Sequence, residues 1–500
     1  METFIALSPI FSIFLFLFLL KQTSLRAAVL SYIVTLFVVL LYPSFQIGTN
    51  VIGYATIKGA LICFVVGYVL FFGIFLFHLM NKIGGISSIG SFISSVTNDR
   101  LMQTLLLCFG LCPLIESASG FGIGFMVAAP IFLSLGYPPF QAALLSFIGL
   151  LASSWGALAT GTIIGSQLVE MPLVEMGTGT AILSAPVFAY FIIAALYIVG
   201  GWSALKQKWK EAGMFFLLFS LSIFLFSKFI SVELAGVLAS IITTSFGLGV
   251  IKANAAKQND VYSQHAAAVS AEKDGTIFKI LSPYLFLTVC ILLSRLVPSL
   301  QHTLHSYFIL DLPSYSYKLE LLYSPGFWLG VTCLFTIILF RVSPRIVKES
   351  LILTIKQWIP FAVTTTMFIA VSEIMGEAGM HQLLAKAAGE AFGQAFILIA
   401  PFIGAIGGFL TGSNAGSNAM FIKLQMQTAQ NIGLPWQAIT MSHNASSSIS
   451  TIACPSRITL GVYLCNIPFR ENELLRKTAL LILGAVLLIV AETAIWSFFW

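Results

Sequence analysis

Glu116-Ser-Ala-Ser-Gly-Phe-Gly-Ile-Gly124 interrupts one apolar stretch of the chain, and Gly412-Ser-Asn-Ala-Gly-Ser-Asn418 interrupts another. Four of the six residues from Ser117 to Gly122 are Ser or Gly. Glycine permits backbone geometry that a continuous helix excludes. Around these interruptions, Phe11–Leu20, Ala27–Leu41, Gly59–Leu79, Phe215–Phe226 and Leu480–Ile495 are nearly free of charge. Several such runs approach the roughly 18–20 residues a helix needs to cross a bilayer. Of 500 residues, 58% are hydrophobic and 9% charged, whereas soluble domains carry about 25% charged residues. There is too little polar surface for a soluble chain of this size. Barrel strands alternate polar and apolar residues; these runs are continuously apolar. The expected class is an all-α polytopic integral membrane protein with about twelve to fourteen hydrophobic elements.

Charge placement predicts the threading. Lys and Arg concentrate in cytoplasmic loops near span ends. The basic loops are Lys21–Arg26, Asn81–Arg100, Ser203–Glu211, Ile251–Lys279, Arg341–Lys356 and Arg470–Lys477. Poorer in basic residues are Tyr42–Thr56, Glu170–Gly179, Ser227–Glu233, Leu300–Pro325 and Gly376–Gln394. The two kinds alternate, which places both termini outside. The first apolar run lacks a basic start and a small-residue cleavage site, so it reads as the first span rather than a cleaved signal. The polar stretch 251–279 reads as a cytoplasmic linker between membrane halves 1–250 and 280–500. The net charge of +6 is modest and spread over loops, so no nucleic-acid partner is expected. The seven cysteines are scattered and read as small packing residues, not as metal ligands, and no cofactor is implied.

A gapless alignment of Ser117–Ser154 on Ser413–Ser450 matches Ser117/Ser413, Gly120/Gly416, Phe125/Phe421, Pro139/Pro435, Gln141/Gln437, Ala142/Ala438, Ser146/Ser442 and Ser154/Ser450. Each copy runs from a Ser/Gly break through an apolar segment to a Pro-aromatic-Gln-Ala start and a long segment with small residues inside it. The threading gives the copies opposite orientation. Inverted repeats with broken or re-entrant helices are characteristic of secondary transporters, with the site near the bilayer midplane. Irregular backbone at that depth survives only where protein or a watery cavity satisfies it.

The candidate substrate groups are therefore Ser117, Ser119, Gly120 and Gly122 in the first break and Ser413, Asn414, Ser417 and Asn418 in the second. A helix resuming after each break would aim its first N–H groups at a small anion. Glu116 is the sharpest single residue. An ionisable group in a span is costly and functional by default, and a desolvated carboxyl can exchange a proton near neutral pH. Alternatively, it caps backbone N–H groups in the break. Ser442-His-Asn-Ala-Ser-Ser-Ser448 adds Asn444 and Ser446 as polar lining and His443 as a proton relay or a neutral packing residue. Arg457 can pair bidentately with a carboxylate or snorkel to the cytoplasmic interface. Lys423 is a second candidate cation. Glu373 and Glu377, at the end of a span, read as interfacial.

At these residues the sequence resembles the lactate permease family of bacterial inner-membrane transporters. Leu25-Arg-Ala-Ala28 is similar to its first cytoplasmic turn, and Asn98-Asp-Arg-Leu-Met-Gln103 with Glu116 and Gly120-Phe-Gly122 to its first signature region. Phe409-Leu-Thr-Gly-Ser413, Ser417-Asn418, Leu424-Gln425 and Ala429-Gln430 resemble the second. The resemblance implies uptake of lactate or a related short 2-hydroxy monocarboxylate coupled to protons, in a multi-pass protein of the bacterial plasma membrane. The chain departs from the family pattern at Asn414, where an acid is usual, and at Arg457, where a small polar residue is usual. The other readings are a Na⁺-coupled or passive transporter of another small organic anion, and a membrane enzyme. Against the last, the six histidines are dispersed and no Ser/His/Asp arrangement stands out. The expected partners are the anion, protons and the bilayer; oligomeric state is left open.

Overall fold

The computed structural model describes residues 1–85, 88, 92, 97–257, 261–315 and 317–496. The expected loop Asn81–Arg100 and linker 251–279 therefore lie partly outside the described residues. Among those described, nine helices are long and apolar enough to cross a membrane, and four shorter apolar helices accompany them. The chain is an all-α polytopic membrane protein, within the expected number of elements.

In chain order the helices are α1 (Glu2–Phe14), α2 (Ser24–Leu41), α3 (Thr49–Lys82), α4 (Arg100–Ser119, with a π turn at Leu107–Leu111), α5 (Ile123–Ser134), α6 (Pro139–Ile148) and α7 (Gly156–Leu168). Then come α8 (Leu173–Phe229), α9 (Val232–Lys257), α10 (Val261–Leu296) and α11 (Pro298–Ser306). A small antiparallel hairpin, β1 (Ile309–Leu312) and β2 (Tyr317–Glu320), pairs Ile309 with Glu320. The chain closes with α12 (Pro325–Leu339), α13 (Pro344–Glu377), α14 (Met380–Phe392), α15 (Phe396–Thr411), α16 (Asn414–Asn431), α17 (Trp436–Ser450), α18 (Pro455–Leu464) and α19 (Glu471–Trp496).

Both Ser/Gly breaks are the tips of helical hairpins. Asp99 caps α4, its Oδ1 accepting from Leu101 N at 3.0 Å. After the break, α5 returns to the same end: Arg100 Nη2 donates to Gly136 O at 3.2 Å, and the Tyr137 hydroxyl donates to Arg100 O. In the second hairpin Gln394 Nε2 donates to Ile432 O at 3.0 Å, and Gln425 Nε2 to Ala400 O at 3.0 Å. Each hairpin leads into a second interrupted helix. One 3-10 turn, Ser153–Trp155, separates α6 from α7; another, Thr451–Ala453, separates α17 from α18. The two interrupted helices cross where Ser154 Oγ meets Ser448 Oγ at 2.6 Å.

The stretches 1–250 and 280–500 interleave. The most extensive pairing joins α3 to α13, and α7 packs on α16 and α8 on α17. Small residues allow the close approach: a Cβ on Gly59 would lie 3.0 Å from Ala370 N, and Trp358 Nε1 donates to Gly67 O at 2.7 Å. Packing of this kind supplies helix association where lipid removes the hydrophobic drive.

Basic segments meet one another. Lys208 pairs with Asp99 at 2.8 Å and Lys82 with Glu349 at 3.0 Å. Elsewhere, Ser44 Oγ donates to Glu2 at 2.7 Å, and Tyr54 stacks on Tyr315 at 5.0 Å. These contacts join segments expected on a common side of the bilayer. Several expected loops are helical instead: Arg341–Lys356 enters α13 at Pro344, Arg470–Lys477 enters α19 at Glu471, and the described residues of the expected linker 251–279 lie in α9 and α10. Ser203–Glu211 lies within α8, where the chain turns at Gly200 and Gly201 (φ 62°) and resumes the helix at once. Gly376–Gln394 contains α14. In each, charge and polarity mark exposure, which a surface helix satisfies as well as a loop does.

The charge-derived threading is checked by labelling intact cells. Ser314→Cys, between β1 and β2, should react with a membrane-impermeant maleimide added outside. Lys206→Cys should react only after permeabilisation, with wild type as the background; the reverse pattern overturns the threading.

Candidate functional site

The first break owes its shape to three successive residues in the left-handed region: Gly120 (φ 68°), Phe121 (φ 56°) and Gly122 (φ 78°). Glycine adopts this conformation at no steric cost. The freed N–H groups are satisfied from within the hairpin. Glu116, only 2% exposed, accepts from Gly122 N through Oε1 at 3.1 Å and from Gly124 N through Oε2 at 3.2 Å. Its carboxyl thus occupies the N-terminal end of α5, as the capping alternative had it, with a favourable alignment to the helix dipole. Donors expected to face a ligand there are already engaged. Gly124 is required for this approach, since a Cβ would lie 2.7 Å from Cys112 O.

The second break turns at Gly412 (φ 64°). Ser413 caps α16, its Oγ accepting from Gly416 N at 3.2 Å. Arg457 arrives from α18. Its Nη1 donates to Thr451 Oγ1 at 3.0 Å and its Nη2 to Gly412 O at 3.2 Å. Its Nε faces the first break, 3.3 Å from where a Gly122 Cβ would lie. The residue is 9% exposed, so Arg457 sits inside the protein. It acts electrostatically on Glu116. Among the described residues no ion pair within 4 Å joins the two.

The four interruptions enclose one cavity with about 450 Å³ of non-atom space, counting the part that opens outward. The hairpin tips contribute Glu116, Gly120, Phe121, Gly412, Ser413, Asn414 and Ala415. The interrupted helices contribute Ser153, Gly156, Thr160, Gly161, Thr451 and Arg457, and the α3–α13 pair adds Leu70 and Phe361. Phe121 and Phe361 meet edge to face at 5.5 Å.

The remaining candidates lie behind this lining. Asn444 binds the two halves together: its Oδ1 accepts from Asn414 Nδ2 at 2.9 Å and Asn418 Nδ2 at 2.8 Å, and its Nδ2 donates to Thr162 and Thr180 hydroxyls, both at 3.0 Å. Asn418 Nδ2 also donates to Gly161 O at 2.9 Å. Ser417 Oγ lies 3.4 Å from His443 Nε2 and donates to Gly404 O at 3.2 Å, and Ser446 Oγ donates to His443 O at 3.1 Å. Ser117 and Ser119 are buried in α4. Gly122 borders the cavity through Arg457. Lys423 is elsewhere: its Nζ pairs with Glu373 Oε1 at 2.8 Å, and Lys58 Nζ pairs with Glu373 Oε2 at 2.9 Å. Glu373, near the end of its span, is buried within the protein at 3% exposure, and two lysines compensate its burial.

Sequence reasoning missed Ser153, Gly156, Thr160, Gly161 and Thr451. Ser153-Ser154-Trp155-Gly156 carries the same Ser/Gly signal as the first break, and Thr160-Gly-Thr162 follows within one turn. Leu70 and Phe361 carry no signal, being apolar residues in long apolar helices.

The buried, four-fold interrupted core with a charged cavity belongs to a multi-pass membrane protein, and the comparisons make it a permease rather than an enzyme. The L-lactate permease family model matches residues 2–314 and 309–499. The chain belongs to that family. It is 24% identical to the L-lactate permease of Salmonella typhi, over 96% of this chain and 92% of that one. The same identity and coverage hold for the L-lactate permease of Escherichia coli K12. The glycolate permease GlcA of Escherichia coli K12 is again 24% identical, over 96% of this chain and 92% of its own.

Asn444→Ala should lower the apparent melting temperature in detergent by several degrees, because Asn414, Asn418, Thr162 and Thr180 lose a shared partner at about 1–3 kcal/mol per buried group left unsatisfied. Gly161→Ala, whose Cβ would meet Asn414 Nδ2 at 2.5 Å, should reduce substrate affinity as well by displacing Asn414. An Asn444→Ala protein as stable as wild type would remove the amide web from this role.

Proposed function

We propose that the protein is a secondary active transporter that takes up lactate, glycolate or a related short 2-hydroxy monocarboxylate with a proton, in the bacterial inner membrane. The names of its relatives support the substrate class. The observation that carries the mechanism is the pairing of one buried cation, Arg457, with one buried carboxyl, Glu116, on the wall of a single cavity. Arg457 presents a planar fork to a substrate carboxylate. Ser413, Asn414 and Thr451 lie around it and supply partners for a 2-hydroxyl. Phe121, Phe361 and Leu70 provide an apolar wall for a methyl or methylene group.

Charge balance supports proton coupling. Arg457 and ionised Glu116 together are neutral; an added monocarboxylate makes the site negative, which is costly at low dielectric. A proton taken up on Glu116 restores neutrality. Anion and proton therefore favour each other's binding, which is thermodynamic coupling between two ligands. A protonated Glu116 also loosens its hold on Gly122 N and Gly124 N, so the tip of the first hairpin responds to the bound proton. The two hairpin-plus-interrupted-helix units, with the exit of the second at Arg470 beside the start of α6 in the first, suit an inverted pair meeting at a central site.

Glu116→Gln should abolish uptake driven by an inward proton gradient in proteoliposomes while preserving exchange of labelled lactate; unchanged driven uptake removes Glu116 from coupling. Arg457→Lys keeps the charge but loses the bidentate fork, so KM should rise about tenfold or more, the equivalent of roughly 1.4 kcal/mol. A KM within twofold of wild type removes Arg457 from the substrate carboxylate. The absence of saturable, gradient-dependent uptake of any short hydroxy acid would overturn the proposal itself.

A further inference from the structure

A second cluster of buried charge lies on the same helices that wall the cavity. Glu373 on α13 is held by Lys58 from α3 and by Lys423 from α16. The Lys58 and Lys423 side chains are 27% and 19% exposed, against 3% for Glu373. Their positions relative to Leu70, Phe361 and Asn414 place the cluster about 13–18 Å from the cavity along the helix axes. It is thus distinct from the Arg457–Glu116 site, yet continuous with it through α3, α13 and α16.

Two lysines facing one carboxylate leave one positive charge in excess. Glu170 acts electrostatically on Lys58 but is exposed, and among the described residues no ion pair within 4 Å joins them. An uncompensated charge within a membrane protein is expensive. His381, from α14, supplies an independent sign of an absent ligand. Its ring is fully buried, and among the described residues neither nitrogen has a hydrogen-bond partner. The ring faces the cluster: a Cβ on Gly376 would lie 3.7 Å from both His381 Nδ1 and Lys423 Nζ. Buried polar atoms are normally paired. Each ammonium has three donors, only one of which each needs for Glu373.

We propose that Lys58, Lys423 and His381 form a second binding site, for a small monovalent anion, with Glu373 as the fixed counter-charge that holds the lysines in place. A chloride or a short carboxylate of the transported class has the charge to neutralise the excess and the lone pairs to accept from the imidazole N–H. That the carboxylate halts here before passing to the cavity rests on the transport reading; the anion site itself does not.

Equilibrium binding of radiolabelled chloride and of labelled lactate to purified full-length protein tests it. Wild type should bind one chloride per chain, competed by lactate, and two lactates per chain in chloride-free buffer. Lys423→Gln removes the excess charge yet leaves the Lys58–Glu373 pair intact; it should lose the chloride site and one lactate, keeping the other at unchanged affinity. Glu373→Gln, which raises the excess charge, should tighten chloride binding at least about threefold if the protein remains folded, checked by its elution as a single species. Chloride bound at a Lys423-dependent site, with no binding of labelled lactate, glycolate or any other short 2-hydroxy acid, would uphold the anion site and overturn the transport reading. Lactate binding at one site, with stoichiometry and chloride binding unaltered by Lys423→Gln, would overturn the anion site and leave the transport reading standing.

Discussion

Inside a membrane a broken helix has to find partners for the backbone groups that the break sets free, because no bulk water is present to take them. Here the partner at the first break is a carboxylate. Glu116 accepts from Gly122 N and Gly124 N, which allows α4 to stop, the chain to pass through three left-handed residues, and α5 to start. The second break solves the same problem with a hydroxyl and a fixed cation: Ser413 caps α16, and the Arg457 guanidinium donates to the carbonyl of Gly412. The difference matters. One hairpin tip is held by a group that can be neutralised by a proton, and the other by groups that cannot.

That asymmetry joins stability to function. In the proposed mechanism the carboxylate that holds the first tip is also the proton acceptor, and the guanidinium that closes the second tip is also the anion's partner. Neither residue is free to be optimised for ligand alone. Behind the tips, Asn414, Asn418 and Asn444 with Thr162 and Thr180 lock the second hairpin to α7 and α8. Buried hydrogen-bond networks of this kind rigidify what they join, so Asn418 and Asn444 hold the cavity wall from behind, and Asn414 both joins the web and lines the cavity. Two residues that the resemblance singled out take structural places here: Asn414 takes part in the amide web as well as in the lining, and Arg457 is a cation on the cavity wall.

The two charged clusters divide the labour by partner count. Glu116 and Arg457 share a cavity without touching, which leaves room between them. Glu373 touches both its lysines, which leaves them oriented but with charge to spare. The α3–α13 pair borders both clusters, since Leu70 and Phe361 face the cavity and Lys58 and Glu373 form the other site. The close Gly59–Ala370 approach and the Trp358–Gly67 hydrogen bond make this pair a stiff wall along which the hairpins are placed.

The amino-acid sequence by itself determined the membrane class, the helical content, the location of both hairpin tips and the presence of a carboxyl, Glu116, at the first of them. Each depends on local features: continuous apolar runs, Ser/Gly interruption, and a charge where lipid tolerates none. Tertiary structure alone decided that the breaks turn back as hairpins, that Glu116 caps α5, that Arg457 belongs to the cavity and Lys423 does not, and that Glu373 is buried between two lysines. These depend on which of several distant helices supplies the compensating group. A lone Arg or Lys in a sequence is equally consistent with an interface, a salt bridge or a binding site, because the burial cost it faces is set by neighbours hundreds of residues away. Apolar residues such as Leu70 and Phe361 are the limiting case: nothing in their own sequence separates a cavity wall from a lipid-facing surface, and only packing assigns the side.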